Sequence, residues 1–219
     1  MALSFPLSSA AFFDLLPIRS VAFHLPGAFG ADETGDGDIY TWSLGTRLWE
    51  GEITLGRMRY DEIAQAEVYL TLLQEPGRSF MLYDTRRPVP RQDPGGAILG
   101  AITPQINSLE VDARELSLTN LPAAYELTVG DYIAFDYGTS PTRRGLHRVV
   151  TSSVISSGGG VTPVFEVTPP IRPGATVGTG VSLIRPSCKA LMIPDSVTPG
   201  TNARSFNDGM SFRFRQTLR

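Results

Sequence analysis

The stretch "LTVGDYIAFDYGTSPTRRGLHRVV", Leu127–Val150, decides between a catalytic cluster and a β scaffold. It carries His147, one of two histidines in the chain, with Asp131, Asp136, Arg143 and Arg144 close by. Alternate residues of a strand share a face. At that period Ile133 and Phe135 fall together, and Leu146, Arg148 and Val150 share one face of the next strand. His147 and Val149 share the other. "DYGTSPTRRG" between them holds Gly138 and Pro141 and reads as a loop, which places Arg143 and Arg144 at a hairpin tip. No carboxylate is fixed near His147 by spacing. The expected role of His147 is a structural hydrogen bond at a barrel edge, and the charged tip is the place for a partner.

Outward from this hairpin the same pattern repeats. From Gln105 onward, short strands alternate with glycine turns: "NSLEVDARELSLTNLP", "ELTVGDYIAFDYG", "RGLHRVVTSSVIS", then "TPVFEVTPPIRP" and "ATVGTGVSLIRP" after the "SSGGG" turn. Such spacing predicts a small, OB-like β-barrel over 105–194. The N-terminal part differs. "IRSVAF" (18–23) reads as a strand and "GAFGADETGDGDIY" (27–40) as an exposed loop. "DIYTWSLGTRLWEGEITLGRM" (38–58) gives two strands, with Tyr40, Trp42 and Leu44 on one face and Glu50–Gly51 as a bulge. In "RYDEIAQAEVYLTLLQEPG" (59–77), Ile63, Ala66, Leu70 and Leu73 form a helical stripe. Asp61 and Glu62 sit at its start, and Pro76 and Gly77 stop it. "RSFMLYD" follows as a strand. Residues 85–104 are rich in proline and glycine and carry Arg86, Arg87 and Arg91, as expected of a long ordered loop or of an arm that packs on a neighbouring subunit. The closing "SFNDGMSFRFRQTLR" alternates Phe212 and Phe214 with Arg213 and Arg215, a strand with one apolar face. It is expected to return to the N-terminal domain. Residues 1–104 and 195–219 are then expected to form one β domain with one amphipathic helix. The 105–194 barrel is either inserted or appended.

Composition supports a mainly β reading. Of 219 residues, 42% are hydrophobic and 19% charged, with 22 glycines and 17 prolines, which suits a globular chain with many turns. The net charge of −3 argues against coating a polyanion. Lys189 is the one lysine among 19 basic residues, and arginine favours planar, bidentate pairing at interfaces. Cys188 is the single cysteine, so neither an intrachain disulfide nor a cysteine metal cluster is expected. The N-terminal stretch is apolar, but Pro6, Asp14 and Pro17 interrupt it and it lacks a basic leader, so no secretion signal is expected. No apolar run reaches the length of a membrane span.

The motifs of catalysis are missing. No metal-ligand spacing involves His24 or His147, and no G-x-S-x-G elbow occurs. "GATVGTG" (174–180) opens no helix that would present amides to a phosphate. From Asp32 a calcium loop fails, because Thr34 and Ser43 stand where an acidic acceptor and the closing glutamate belong. Asp112 and Glu115 are close in sequence, but nothing places them across a cleft. The expectation is no enzyme, no cofactor and no metal.

Two stretches resemble a known family. The first is a "W…G.ITL" strand pair, the helix ending "LLQEPG" and the "F.LYD" strand. The second is the ordered set Gly130–Asp131, Leu146–His147–Arg148–Val149, Pro169–Pro170–Ile171–Arg172 and Gly178. Together these resemble the distal tail protein class of long-tailed bacterial viruses, over roughly 38–84 and 116–186. The resemblance implies that 1–104 with 195–219 is a belt β-sandwich domain beside a small OB-like β-barrel, and that the chain forms a ring, usually of six copies, at the distal end of the virion tail. It would contact itself, the tail tube protein and the tail-tip hub protein, with viral DNA only in transit through its lumen. The class carries a belt hairpin that the sequence itself does not reveal. Candidate subunit or partner contacts are Arg86, Arg87, Arg91, Arg143 and Arg144. An alternative is a carbohydrate- or receptor-binding β module using Tyr125, Tyr132 and Tyr137 as exposed aromatics. A third is a hydrolase using His147.

Overall fold

A computed structural model describes residues 3–219. In chain order, the first segment forms β1 (Ile18–His24), β2 (Phe29–Glu33), β3 (Ile39–Ser43), β4 (Glu50–Leu55), β5 (Met58–Arg59) and helix α1 (Tyr60–Leu73). The middle forms β6 (Phe80–Leu82), β7 (Gln105–Leu109), β8 (Glu115–Thr119), β9 (Glu126–Thr128), β10 (Tyr132–Tyr137), β11 (Arg143–Val149), β12 (Ser153–Ile155), β13 (Phe165–Thr168) and β14 (Val181–Ser182). The chain ends with β15 (Cys188–Met192), β16 (Thr201–Asn202), β17 (Phe206–Asp208) and β18 (Ser211–Gln216). Two compact units result. One combines Leu15–Arg78 with Ala190–Thr217, and the other holds Ser79–Lys189, residues 3–14, and Leu218–Arg219. Residues 79–104 therefore share a unit with the 105–189 strands. No helix among the described residues is long and apolar enough to cross a membrane.

The first unit is organised by β4. It pairs antiparallel with β1 on one side (Val21↔Ile53) and with β18 on the other (Phe212↔Ile53), and β18 pairs in turn with β15. These strands belong to a half-barrel sheet. One face is apolar: Phe23, Trp49, Ile53, Leu55, Phe212 and Phe214 are buried, each side chain contributing about 1.5–3 kcal/mol. The rings of Phe23 and Trp49 lie 5.2 Å apart, and those of Phe23 and Phe214 5.5 Å. Gly51 is no bulge. It sits in regular register opposite Phe23 and Phe214, and the register shift falls on β1 between Ile18 and Ser20. A Cβ at Gly51 would stand 1.7 Å from the Ala22 carbonyl oxygen, so only glycine fits there.

The helix forms where its stripe predicts. Ala66, Leu70 and Leu73 are buried and Ile63 is half-buried, and the helix packs against β5 and β17. The Arg59 amide donates to Glu62 Oε2 at 2.8 Å, which satisfies one free amide at the helix start. The segment 27–40 is not a loop. Most of it belongs to the β2–β3 hairpin, paired from Phe29↔Ser43 to Glu33↔Ile39. The hairpin forms a sheet of its own.

The second unit is a nearly closed barrel, in the order β14-β10-β11-β13-β8-β7, with a β12–β9 ribbon. Its two edges meet. Gln105 bridges Gly180, Ile106 N donates to Thr179 O at 3.0 Å, and Gly178 N donates to Ile106 O at 2.8 Å. Joining edges removes exposed strand backbone that would otherwise recruit other chains. Inside, Ile106, Leu116, Leu118, Ile133, Phe135, Val149, Phe165 and Val167 form the core with residues from the connecting segments, including Leu99 and Ile171. The β10–β11 turn is tighter than the sequence predicts. Tyr137↔Arg143 and Asp136↔Arg144 are paired ladder residues, so both arginines lie on the strand and not at the tip.

Candidate functional site

His147 occupies the barrel interior. It stands opposite Ile133, is 3% exposed, and stacks on Phe135 with centroids 5.0 Å apart and planes 12° off parallel. Gly145 makes room for this ring, since a Cβ there would lie 2.7 Å from Nε2. The Pro169 carbonyl, 2.7 Å from Nδ1, can only accept, so Nδ1 carries the proton. Burial pushes the pKa down to about 4, against the Pro169 hydrogen bond and with help from the Arg172 charge. A neutral, stacked and buried imidazole anchors the Pro169 turn to the barrel. Cys188 is equally enclosed. Burial pushes its thiol up to about 12 despite the nearby Arg144 charge, which leaves it unreactive.

The charged chemistry lies on the segment that follows β6. Asp84, buried, accepts from Arg86 Nε at 2.9 Å, Arg86 Nη2 at 2.8 Å, the Arg86 amide at 3.0 Å and the Tyr132 hydroxyl at 3.0 Å. Burial opposes its ionisation, but the hydrogen bonds and charge of Arg86 outweigh that. With the Tyr132 hydroxyl they hold the carboxyl below its ordinary value. Arg148 donates to the Tyr132 hydroxyl and lies 4.8 Å from the centroid of that ring. Two further buried aspartates tie the segment down. Asp131 accepts from the Arg91 amide at 3.1 Å and from the Thr128 amide and hydroxyl at 2.7 and 3.1 Å. Asp93 accepts from the amides of Ile98 and Leu99 and from the Tyr125 hydroxyl. The proline-rich segment is thus an ordered cover on the barrel of its own chain.

Three of the five arginines singled out in the sequence come together here. Arg86, Arg87 and Arg91 line one cleft of about 310 Å³ with Pro88, Val89, Pro90, Pro94 and Asp131. The other two do not join them. Arg143 Nε donates to the Leu218 carbonyl, and Arg144 reaches the Ser187 carbonyl, Asp136 and Ser182. Tyr125, Tyr132 and Tyr137, expected as exposed aromatics, are all buried, at 3%, 3% and 4% exposure. The alternative of glycan binding loses the side chains that motivated it.

The exposed aromatics are elsewhere. On the β2–β3 hairpin, Phe29, Ile39, Tyr40 and Trp42 stand open to solvent, with Leu44 just beyond. All five residues of β3 are exposed. No protein-family model and no curated protein matches this chain. The sequence reading placed Tyr40, Trp42 and Leu44 on one strand face but missed β2. The Gly- and Asp-rich composition hid its partner strand.

Proposed function

We propose that this chain is a structural protein of a long-tailed bacteriophage, of the distal tail protein class. In this reading it forms a ring, of six copies, at the distal end of the virion tail. The half-barrel unit serves as the belt β-sandwich and the nearly closed barrel as the OB-like domain. The ring joins the tail tube protein to the tail-tip hub, and viral DNA passes through its lumen. No catalytic step is assigned to it.

The observation that carries this reading is the β2–β3 hairpin. A two-stranded ribbon is marginal in water by itself, and this one exposes Phe29, Ile39, Tyr40 and Trp42. Tyr40 and Trp42 stand on one face of the ribbon and Phe29 and Ile39 on the other, so each face offers exposed apolar side chains for association. A second copy of the chain is its natural occupant in a cyclic assembly, where one patch meets a different patch on the next subunit. Light scattering behind size exclusion is expected to give about 142 kDa for six copies of the 23.7 kDa chain. Negative-stain microscopy is expected to show a ring with a central hole. Trp42→Ser should leave unfolding midpoints unchanged and weaken assembly. A strict monomer at high concentration, with no rings on the grid, refutes the proposal.

A further inference from the structure

We infer that the acidic turn of the β2–β3 hairpin on one copy seats in the arginine-lined cleft of the next copy. This inference rests on the ring reading above and names the contact that would build the ring.

The turn has the properties of a ligand. Asp32, Glu33, Asp36 and Asp38 cluster at the hairpin end and are all exposed. None of the four has an ion-pair partner among the described residues. Their backbone is fixed: Thr34 N donates to Asp38 O at 2.9 Å, Gly37 N to Thr34 O at 2.9 Å, and Asp38 N to Thr34 Oγ1 at 3.2 Å. Gly37, at φ +84°, supplies the left-handed residue that the turn requires. Five paired positions on each strand carry the turn about 17 Å from the hairpin base, so it projects as a preformed acidic probe.

The cleft has the matching properties of a receptor. Asp84 already holds Arg86. Arg87 makes one long contact, Nη1 to the Val129 carbonyl at 3.4 Å. The Arg91 guanidinium has no hydrogen bond or ion pair among the described residues; its amide alone is held, by Asp131. Two guanidinium forks therefore keep open donor edges, and such forks take carboxylates bidentately. The one acid in the wall, Asp131, is occupied by Thr128 and by the Arg91 amide. Pro88, Pro90 and Pro94 stiffen the wall, which reduces the ordering cost of binding. At about 310 Å³ the cleft is at the small end of ligand sites and fits acidic side chains better than a cofactor. A turn-to-cleft contact is heterologous, the kind that closes into a ring.

The test uses two full-length variants. R87E/R91E makes the cleft acidic, and D36R/D38R makes the turn basic. Alone, each variant opposes like charge to like, and self-association measured by light scattering at low salt should weaken at least roughly tenfold. Mixed one to one, each turn meets a complementary cleft on both sides, and assembly should return. The wild-type assembly should also weaken as salt rises. Circular dichroism checks that each variant folds. Where one does not, R87Q/R91Q and D36N/D38N replace the pair; each alone should weaken assembly less than charge reversal does, and the mixture should recover in part, because only every second contact regains its charges. If the single variants assemble like the wild type, or the mixture fails to recover, this contact is wrong while the ring reading stands. If the wild type never assembles, both fall.

Discussion

Replacing Asp84 with asparagine removes a charge from the most crowded polar point of the barrel unit while keeping its shape. Oδ1 takes the Arg86 amide and Nε, and Oδ2 takes Arg86 Nη2 and the Tyr132 hydroxyl. An amide nitrogen in place of Oδ2 meets two donors and loses both bonds. Hydrogen bonds to a charged group are worth about 1.5–3 kcal/mol each, and breaking a fully buried pair costs about 3–5 kcal/mol. The Arg86 side chain is 55% exposed, so its guanidinium turns to water and recovers part of its share. Tyr132 cannot, because it is buried. A net loss of about 2–3 kcal/mol follows, or about 5–10 °C in melting temperature for a chain of this length. Far-UV circular dichroism during urea unfolding is the assay of choice, because Trp42 and Trp49 both lie in the other unit. The sign with pH is fixed. The folded carboxyl titrates below its unfolded value, so its stabilisation is present above about pH 4 and fades as pH falls through the lowered value. Wild type and D84N should converge in strong acid. A D84N protein within about 0.5 kcal/mol of wild type at pH 7 refutes the argument.

His147 predicts a separate acid limb. Its folded pKa of about 4 lies below the unfolded value of about 6.5, so the barrel loses stability as pH falls between those values, by up to roughly 3 kcal/mol. His147→Leu should be less stable at pH 7, because the Pro169 carbonyl loses its donor, yet flatter over that range. Parallel pH profiles for the two proteins would overturn the assignment. Gly51→Ala forces a methyl into the Ala22 carbonyl and the Phe214 ring, and should cost about 3 kcal/mol or more. Trp49 fluorescence, which reports on the Phe23 contact, should show it. A wild-type midpoint would mean that β1 and β4 separate at little cost.

What could be read from the sequence divides along one physical line: whether an element buries a single face. The helix stripe Ala66, Leu70 and Leu73 and the Phe212/Phe214 alternation were legible because each sets buried residues against a wet face. The hairpin β2–β3 buries neither face; β3 was still legible from the alternation of Tyr40 and Trp42, but glycine and aspartate made β2 read as a loop. β10 was legible as a strand, but its burial was not, for the opposite reason. Tyr132, Ile133, Ala134, Phe135 and Tyr137 are all buried, because the second face is covered as well, and the two tyrosines of this strand looked free when they are not.

That cover also explains why the candidate site was half legible. Arg86, Arg87 and Arg91 could be grouped by sequence as a basic, proline-rich segment. Their fixed presentation depends on Asp84, Asp93 and Asp131, three isolated aspartates in turns, where that residue is ordinary. The partners of these aspartates are up to 48 positions away, as in the Tyr132–Asp84 hydrogen bond. Charge type is local in sequence, whereas charge placement depends on the buried acids beneath it. D84N therefore bears on both questions. If the segment loosens, Arg87 and Arg91 lose their common wall, and assembly through the cleft should weaken even though neither arginine has been changed.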